Sequence, residues 1–227
     1  ELALFSLFIA ILFGIPLGIY AGLKPNSKVS RTIMAGSILG FSMPTFWVGI
    51  LLIMFFAVYL GWLPSTGRGD VATFLGINSS LFTVDGLSHV FLPAFNLALF
   101  KMSSIIRLTR AGTREIILQD YITFARSKGL SEEKIVLVHL LRNILIPVVT
   151  VIGLEFGSLI AFSTVTETVF AWPGMGKLII DSIYNLDRPV IVAYLLIIVT
   201  FFVFLNLVVD ILYSVLDPRV RVKGNNE

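Results

Sequence analysis

Apolar residues in this chain run in long unbroken stretches rather than alternating with polar ones. Leu2 to Leu23 carries no charge, and no charge occurs between Arg31 and Arg68. Uncharged apolar stretches of about 18 residues or more read as membrane spans. Five are predicted, over about 2–23, 33–60, 90–108, 143–166 and 189–216. Inside lipid a backbone amide has no water partner, so a span is a helix or a strand of a closed barrel. Barrel strands are about 10 residues long and alternate in polarity. These runs are longer and apolar all round, so an all-α membrane protein is expected, one domain over residues 1–227. Lys24-Pro25-Asn26, Gly61-Trp62-Leu63-Pro64 and Asp217-Pro218 interrupt the apolar runs, and Pro16, Pro44, Pro93 and Pro147 should kink or end their helices. Gly14, Gly18 and Gly22, then Gly36 and Gly40, then Gly153 and Gly157, stand four apart, a spacing that lets helices approach closely in lipid.

Composition supports this reading. Of 227 residues 56% are hydrophobic and 14% charged, against about 25% charged in soluble domains. Charge placement sets an expected orientation. Thirteen of the 17 lysines and arginines fall in one set of loops, Arg68, Lys177 and Arg188 fall in the other, and Lys101 sits within a span. Basic loops face the cytoplasm, which puts the N-terminus outside and the C-terminus inside. The chain opens on Glu1, without Met and without basic residues before its first apolar run, so it is read as truncated at its N-terminus. It has no cysteine, and its two histidines, His89 and His139, are far apart; neither a metal site nor a catalytic constellation is expected. The net charge of +3 is small and gives no reason to expect nucleic acid as a partner.

The stretch from Arg110 to Pro147 is the longest loop on the basic side, and its pattern is helical. Ile117, Tyr121, Phe124 and Lys128 share one face beside Gln119, Asp120 and Arg126. Gly129 can end a helix in the left-handed conformation. Ser131 can cap a second helix, with Glu132 and Glu133 in its first turn. A short helix, a sharp turn and a second helix feeding the fourth span are expected. Such an element either lies on anionic lipid or docks in a partner's groove; the acids Glu115, Asp120, Glu132 and Glu133 among its bases favour docking.

Ionisable residues are costly at mid-membrane, which singles out Lys101 and Glu155. They are expected to pair or to face one water-filled path, unless Lys101 snorkels to the inner interface. Asn96, Met102, Ser103 and Ser158 are candidate pathway residues. Trp62 and Trp172 are expected at the outer interface.

The run Asp120-Tyr121-Ile122-Thr123-Phe124-Ala125-Arg126-Ser127-Lys128-Gly129-Leu130, followed by His139-Leu140-Leu141-Arg142-Asn143 and Ile146-Pro147, resembles the cytoplasmic loop of ABC importer permeases of the dipeptide, oligopeptide, glutathione and nickel branch. Of the broader family's EAA-x3-G pattern only Ala125 and Gly129 survive. Gly61-Trp62-Leu63-Pro64, the run from Thr166-Glu167-Thr168 to Trp172-Pro173-Gly174-Met175-Gly176, and Asp217-Pro218-Arg219 are similar to that branch as well. The resemblance implies a type I ABC importer transmembrane domain with five helices and a coupling helix, the family's first helix missing. It implies a second homologous permease, two cytoplasmic ATPases, an external solute-binding protein and surrounding lipid as partners, in a bacterial or archaeal cytoplasmic membrane. Short peptides are the expected solute, with glutathione or a nickel chelate as the alternative and a secondary transporter as a more distant one. Asp120, Tyr121, Phe124, Ala125, Arg126, Gly129 and Leu130 would then couple to an ATPase, Tyr121, Phe124 and Ala125 by packing, Arg126 as a polar rim and Gly129 by allowing the turn. The phosphate-binding pattern GxxxxGK[ST] is absent from the sequence. The chain is therefore expected to be non-catalytic, binding no cofactor itself, with ATP and Mg used by its partners.

Overall fold

A computed structural model describes the backbone of residues 1–216, and the side chains in that range except at 146, 150, 154–158, 160–162, 209, 210 and 212–216. The ending Asp217-Pro218-Arg219 lies outside the described residues.

The architecture is helical, with one short hairpin. Helix α1 (Leu2–Leu23) stops where the apolar run does, before Lys24 and Pro25. Helix α2 (Lys28–Ser42) starts on Ser27, whose side chain accepts from Ser30 N–H. Helix α3 (Thr45–Leu52) continues as a π-helical stretch, Ile53–Tyr59. The expected second span is thus not one rod. It bends by 109° between α2 and α3. Proline drives its predecessor out of helical backbone, and Met43 is extended (φ −84°, ψ 138°) just before Pro44.

A loop carries strands β1 (Ala72–Phe74) and β2 (Ile77–Ser79), an antiparallel pair. Thr83 then caps α4 (Val84–Ile116), accepting from Gly86 N–H at 2.9 Å. The 33 residues of α4 reach about 50 Å at 1.5 Å per residue, beyond a hydrocarbon core of about 30 Å. The hydropathic stretch 90–108 is only its middle; the helix runs on through Arg110 and Arg114. Next come α5 (Asp120–Ser127), a single turn α6 (Glu132–Lys134) with a π-helical extension Ile135–Leu140, and α7 (Leu141–Val169). Helices α8 (Met175–Tyr184) and α9 (Arg188–Leu216) follow. Among the described residues, three helices are long and apolar enough to cross a membrane, or five if each of two bent helix pairs counts as one span.

Helix α4 is the hub, packed on α1, α2, α3 and α7. Its partnership with α1 explains the first glycine series. The helices run parallel, and a Cβ built on Gly14, Gly18 or Gly22 would fall 2.8, 2.6 or 2.5 Å from Ile105, Thr109 or Thr113. Those three partners are themselves four residues apart, so two small-residue stripes mesh turn by turn. Gly40 backs onto Ser103 of α4, whereas Gly36 has nothing within 4 Å.

The main core joins Leu2, Ile9 and Ala10 of α1 to Val90, Ala94, Leu97, Ala98 and Ile105 of α4. Trp172 lies in that core at 4% exposure, which corrects its expected place in an interfacial belt; Trp62 is 70% exposed. A second apolar cluster, Leu140, Ile144 and Val148, packs on Ile19 and Leu23 of α1 and Leu108 of α4. This fixes the base of α7 beside the ends of α1 and α4. Helix α9 exposes Val192, Leu195, Leu196, Val199 and Phe202, an apolar surface suited to lipid or to another helix.

Candidate functional site

Two regions carry the candidate residues. The first is the segment between α4 and α7. Helix α5 begins after Gln119 and ends in a complete Schellman arrangement. Gly129 N–H donates to Arg126 C=O at 2.9 Å, Leu130 N–H donates to Ala125 C=O at 3.3 Å, and Gly129 takes φ +78°. The apolar contact that accompanies this motif is present, because Leu130 packs on the cluster of Ile122, Ala125 and Ile135. Ser131 then caps α6, accepting from Lys134 N–H at 3.4 Å.

This geometry sorts the predicted coupling residues by face. Ile122 is fully buried and Ala125 is 6% exposed. Ala125 is therefore a packing residue of its own chain, turned inward onto Ile135 and Leu130 rather than outward to a partner; a helical pattern alone does not say which small residue faces in. Tyr121 and Phe124 are on the open side, at 42% and 60% exposure, next to Leu118 at 80%. Asp120 is exposed, and Lys128 places its Nζ 4.6 Å from the Phe124 ring centroid. Arg126 does not hang free as a rim contact. Its Nε and Nη2 donate to Glu132 Oε1 and Oε2 at 2.7 and 3.2 Å. The hydrogen bond from Arg126 holds the Glu132 carboxyl below its usual range, and the bond to Glu132 raises the guanidinium further. Asn143, in the first turn of α7, donates to Tyr121 Oη at 3.1 Å and to His139 C=O at 2.7 Å. Partial burial raises the Tyr121 phenol, an effect the Asn143 hydrogen bond reduces.

Gly129 is the one place in this segment where glycine is demanded. Left-handed backbone costs an ordinary residue roughly 1–2 kcal/mol, and a β-branched one fares worse. Gly129→Val should therefore unwind the Schellman turn, seen as a less protected Leu130 amide than in Gly129→Asn, which tolerates that conformation.

The second region holds the predicted pathway residues, and the structure places most of them in helix contacts. Asn96 is 2% exposed, and its Nδ2 donates to Thr166 Oγ1 at 3.1 Å across α4 and α7. Ser103 is 2% exposed; its hydroxyl donates to Leu99 C=O at 2.8 Å and backs onto Gly40. Met102 packs against the main core. Asn96 and Ser103 thus fill interhelical roles here rather than lining an open path. Lys101 is buried, at 4% exposure, with Nζ 5.3 Å from the Phe100 ring centroid, so it does not reach the surface of this chain. Glu155 and Ser158 lie outside the residues whose side chains are described, and with them the expected pairing of Glu155 with Lys101.

Sequence reasoning missed the chemistry of the run from Thr166 to Gly176. Glu167 is 6% exposed. Its Oε1 accepts from Ser163 Oγ at 2.8 Å and its Oε2 from Lys177 N–H at 3.0 Å, so a buried carboxyl closes the start of α8. A Cβ at Gly174 would overlap that carboxyl, and one at Gly176 would strike Thr164 of α7. The signal was an acid followed by two glycines, Gly174 and Gly176, at the start of an amphipathic helix. Near this junction a cavity of about 790 Å³ is lined by Glu1, Arg68, Glu167, Trp172, Lys177 and Asp181, among others. Glu1 is fixed there by Arg68 at 2.6 Å and by the Ser80 hydroxyl at 3.1 Å. Although burial opposes it, these hydrogen bonds hold the Glu1 carboxyl below its usual range.

Residues 14–222 match the family described as binding-protein-dependent transport system inner membrane component. The di/tripeptide transport system permease protein of Pseudomonas aeruginosa is 42% identical, over 97% of this chain and 69% of its own length. The dipeptide permease of Haemophilus influenzae is 44% identical over 97% and 70%. A glutathione transport system permease protein of Escherichia coli is 40% identical over 98% and 67%. Among solved structures, an inward-facing form of a methionine ABC transporter superposes with a TM-score of 0.72, covering 95% of this chain and 91% of that one at 20% identity. That likeness shows the fold, the transmembrane domain of an ABC transporter. The chain belongs to the family of binding-protein-dependent transport system inner membrane components, as a multi-pass membrane protein.

Proposed function

We propose that this chain is the permease subunit of an ATP-driven importer of short peptides, and that α5 is its docking element for a cytoplasmic ATPase. The observation that carries the docking reading is the face formed by Leu118, Tyr121 and Phe124. It is open to solvent although the helix behind it is anchored by Ile122 and Ala125. Exposed aromatic and aliphatic side chains on a braced helix suit an apolar groove. The names of the relatives, two of them for dipeptide or di/tripeptide transport, support the solute class.

In this reading the basic end of the helices, with the C-terminus, faces the cytoplasm of a bacterial or archaeal cell. A second homologous permease completes the path, two ATPases use ATP and Mg, and an external binding protein delivers the solute. ATP-driven closure of the ATPase pair pushes α5, and the helices rock between inward-open and outward-open states.

The test is Phe124→Asp in the complete complex, reconstituted with its binding protein and offered labelled di- and tripeptides. A buried aromatic anchor contributes about 2 kcal/mol or more to an interface. Both ATPase co-purification and peptide uptake should therefore fall by roughly thirtyfold. Unchanged uptake and unchanged ATPase recovery would remove the docking assignment. Uptake of glutathione or a nickel chelate in place of peptides would replace the solute class, an outcome the glutathione permease among the relatives makes specific.

A further inference from the structure

Helix α5 is eight residues long, too short to be stable alone. A lever must nevertheless keep its angle when pushed. Three contacts supply that constraint, at three positions along it. In its first turn the Tyr121 hydroxyl accepts from Asn143 at the base of α7. In its middle Ile122 and Ala125 pack on Ile135 of the π-helical stretch. In its last turn Arg126 reaches over the Gly129 turn and grips both oxygens of Glu132 in α6. The Arg126–Glu132 bridge borders a cavity of about 480 Å³ that Leu23, Lys24, Ile117 and Leu137 also line. At that end, then, the pair adds a polar tie beside the apolar contact of Leu130 with the cluster of Ala125 and Ile135. A bidentate guanidinium–carboxylate pair fixes orientation as well as distance.

We propose that the Arg126–Glu132 bridge and the Asn143–Tyr121 hydrogen bond form a mount that sets the angle of α5 against α7, making Arg126, Glu132 and Asn143 positioning residues for energy coupling rather than contacts to the partner. The proposal rests on the docking reading above and deepens it. An exposed ion pair adds little to global stability, so the mount's loss should leave folding and assembly intact. The effect should appear in how much of the ATPase stroke reaches the spans.

The experiment uses the complete reconstituted complex with Arg126→Glu, Glu132→Arg and the double swap, alongside Asn143→Leu, which removes the donor to the Tyr121 hydroxyl and leaves the docking face unchanged. ATPase co-purification should match the unmodified complex in all four. Solute imported per ATP should fall about two- to fivefold in each single variant, the range open to an exposed pair, and return in the double swap. A second readout is independent of transport. The chain has no cysteine, so spin labels at Lys128→Cys and at Leu137→Cys, both exposed, report the α5–α6 geometry alone. Their distance distribution should broaden in the single charge variants and narrow again in the swap. Unchanged solute per ATP in both single charge variants, a swap that restores neither readout, or broadening without loss of coupling would each overturn the mount. Full ATPase recovery in Phe124→Asp would instead sink the docking reading, while the spin-label distances would still decide whether the bridge holds the turn.

Discussion

Gly14→Ala, Gly18→Ala and Gly22→Ala combined are expected to lower the stability and the recovery of folded permease sharply. The added methyl groups would have to enter space held by Ile105, Thr109 and Thr113. At Gly18 the new Cβ would also lie 2.9 Å from the Ile106 carbonyl oxygen, a backbone atom that cannot rotate away. Overpacking a tight contact costs about 1–3 kcal/mol per site. Alanine's better helix propensity offsets up to about 1 kcal/mol of that, and three sites on one seam need not add simply. Midway through these ranges the net loss is roughly 1 kcal/mol per site and roughly 3 kcal/mol for the three, a large fraction of a typical domain's stability. The matched control is Gly112→Ala on α4, where the new Cβ would meet Ile144 at 3.7 Å, an ordinary contact. That variant should equal or exceed the parent in thermal midpoint, measured by fluorescence-detected size exclusion after heating in detergent. A triple variant as stable as the Gly112→Ala protein would mean that α1 and α4 do not mesh at this register.

The glycine spacing announced a close helix pair, but not which pair. Four-residue spacing states that a helix has a bare stripe; the partner is named only when Ile105, Thr109 and Thr113 present a stripe of matching rise. The same limit governs the coupling segment. Gly129, Ser131 and the two glutamates that follow are local signals, and the turn and the cap that form there involve neighbours within a few residues. Ala125 and Arg126 instead depend on Ile135 and Glu132, which approach only after the chain has turned back. Their assignment to a partner surface therefore had no local evidence against it. The π-helical stretches at 53–59 and 135–140 and the full length of α4 escaped for a related reason. A hydropathy pattern sees lipid contact, while α4 past residue 108 is held by Ile116 packing on the cluster of Leu140, Ile144 and Val148 on the protein side. Trp172 shows the converse case. Its residue type suggests an interface, yet Phe170 and Trp172 turn inward because Ala171 takes positive φ (+46°) and Glu167 C=O accepts from Trp172 N–H at 2.8 Å.

The start of α8 depends on one buried carboxyl, so Glu167→Ala and Gly174→Ala are expected to destabilise the protein by about the same amount and not to add. Glu167→Ala strips the acceptor from Lys177 N–H and the Ser163 hydroxyl. Leaving a buried donor unpaired costs about 1–3 kcal/mol. Gly174→Ala reaches the same end by another route, since its Cβ would occupy the position of the Glu167 carboxyl and drive it off the helix start. Once the carboxyl is gone the added methyl has room, so the double variant should be no worse than Glu167→Ala alone, a coupling of about 1–3 kcal/mol. Glu167→Gln, which keeps an acceptor oxygen and nearly the same shape, should lose less than either. Equilibrium unfolding of the four proteins in mixed micelles gives the cycle directly. Additive losses would mean that Gly174 is required for its backbone and not for the space it yields to Glu167, and α8 would then need another explanation for where it begins.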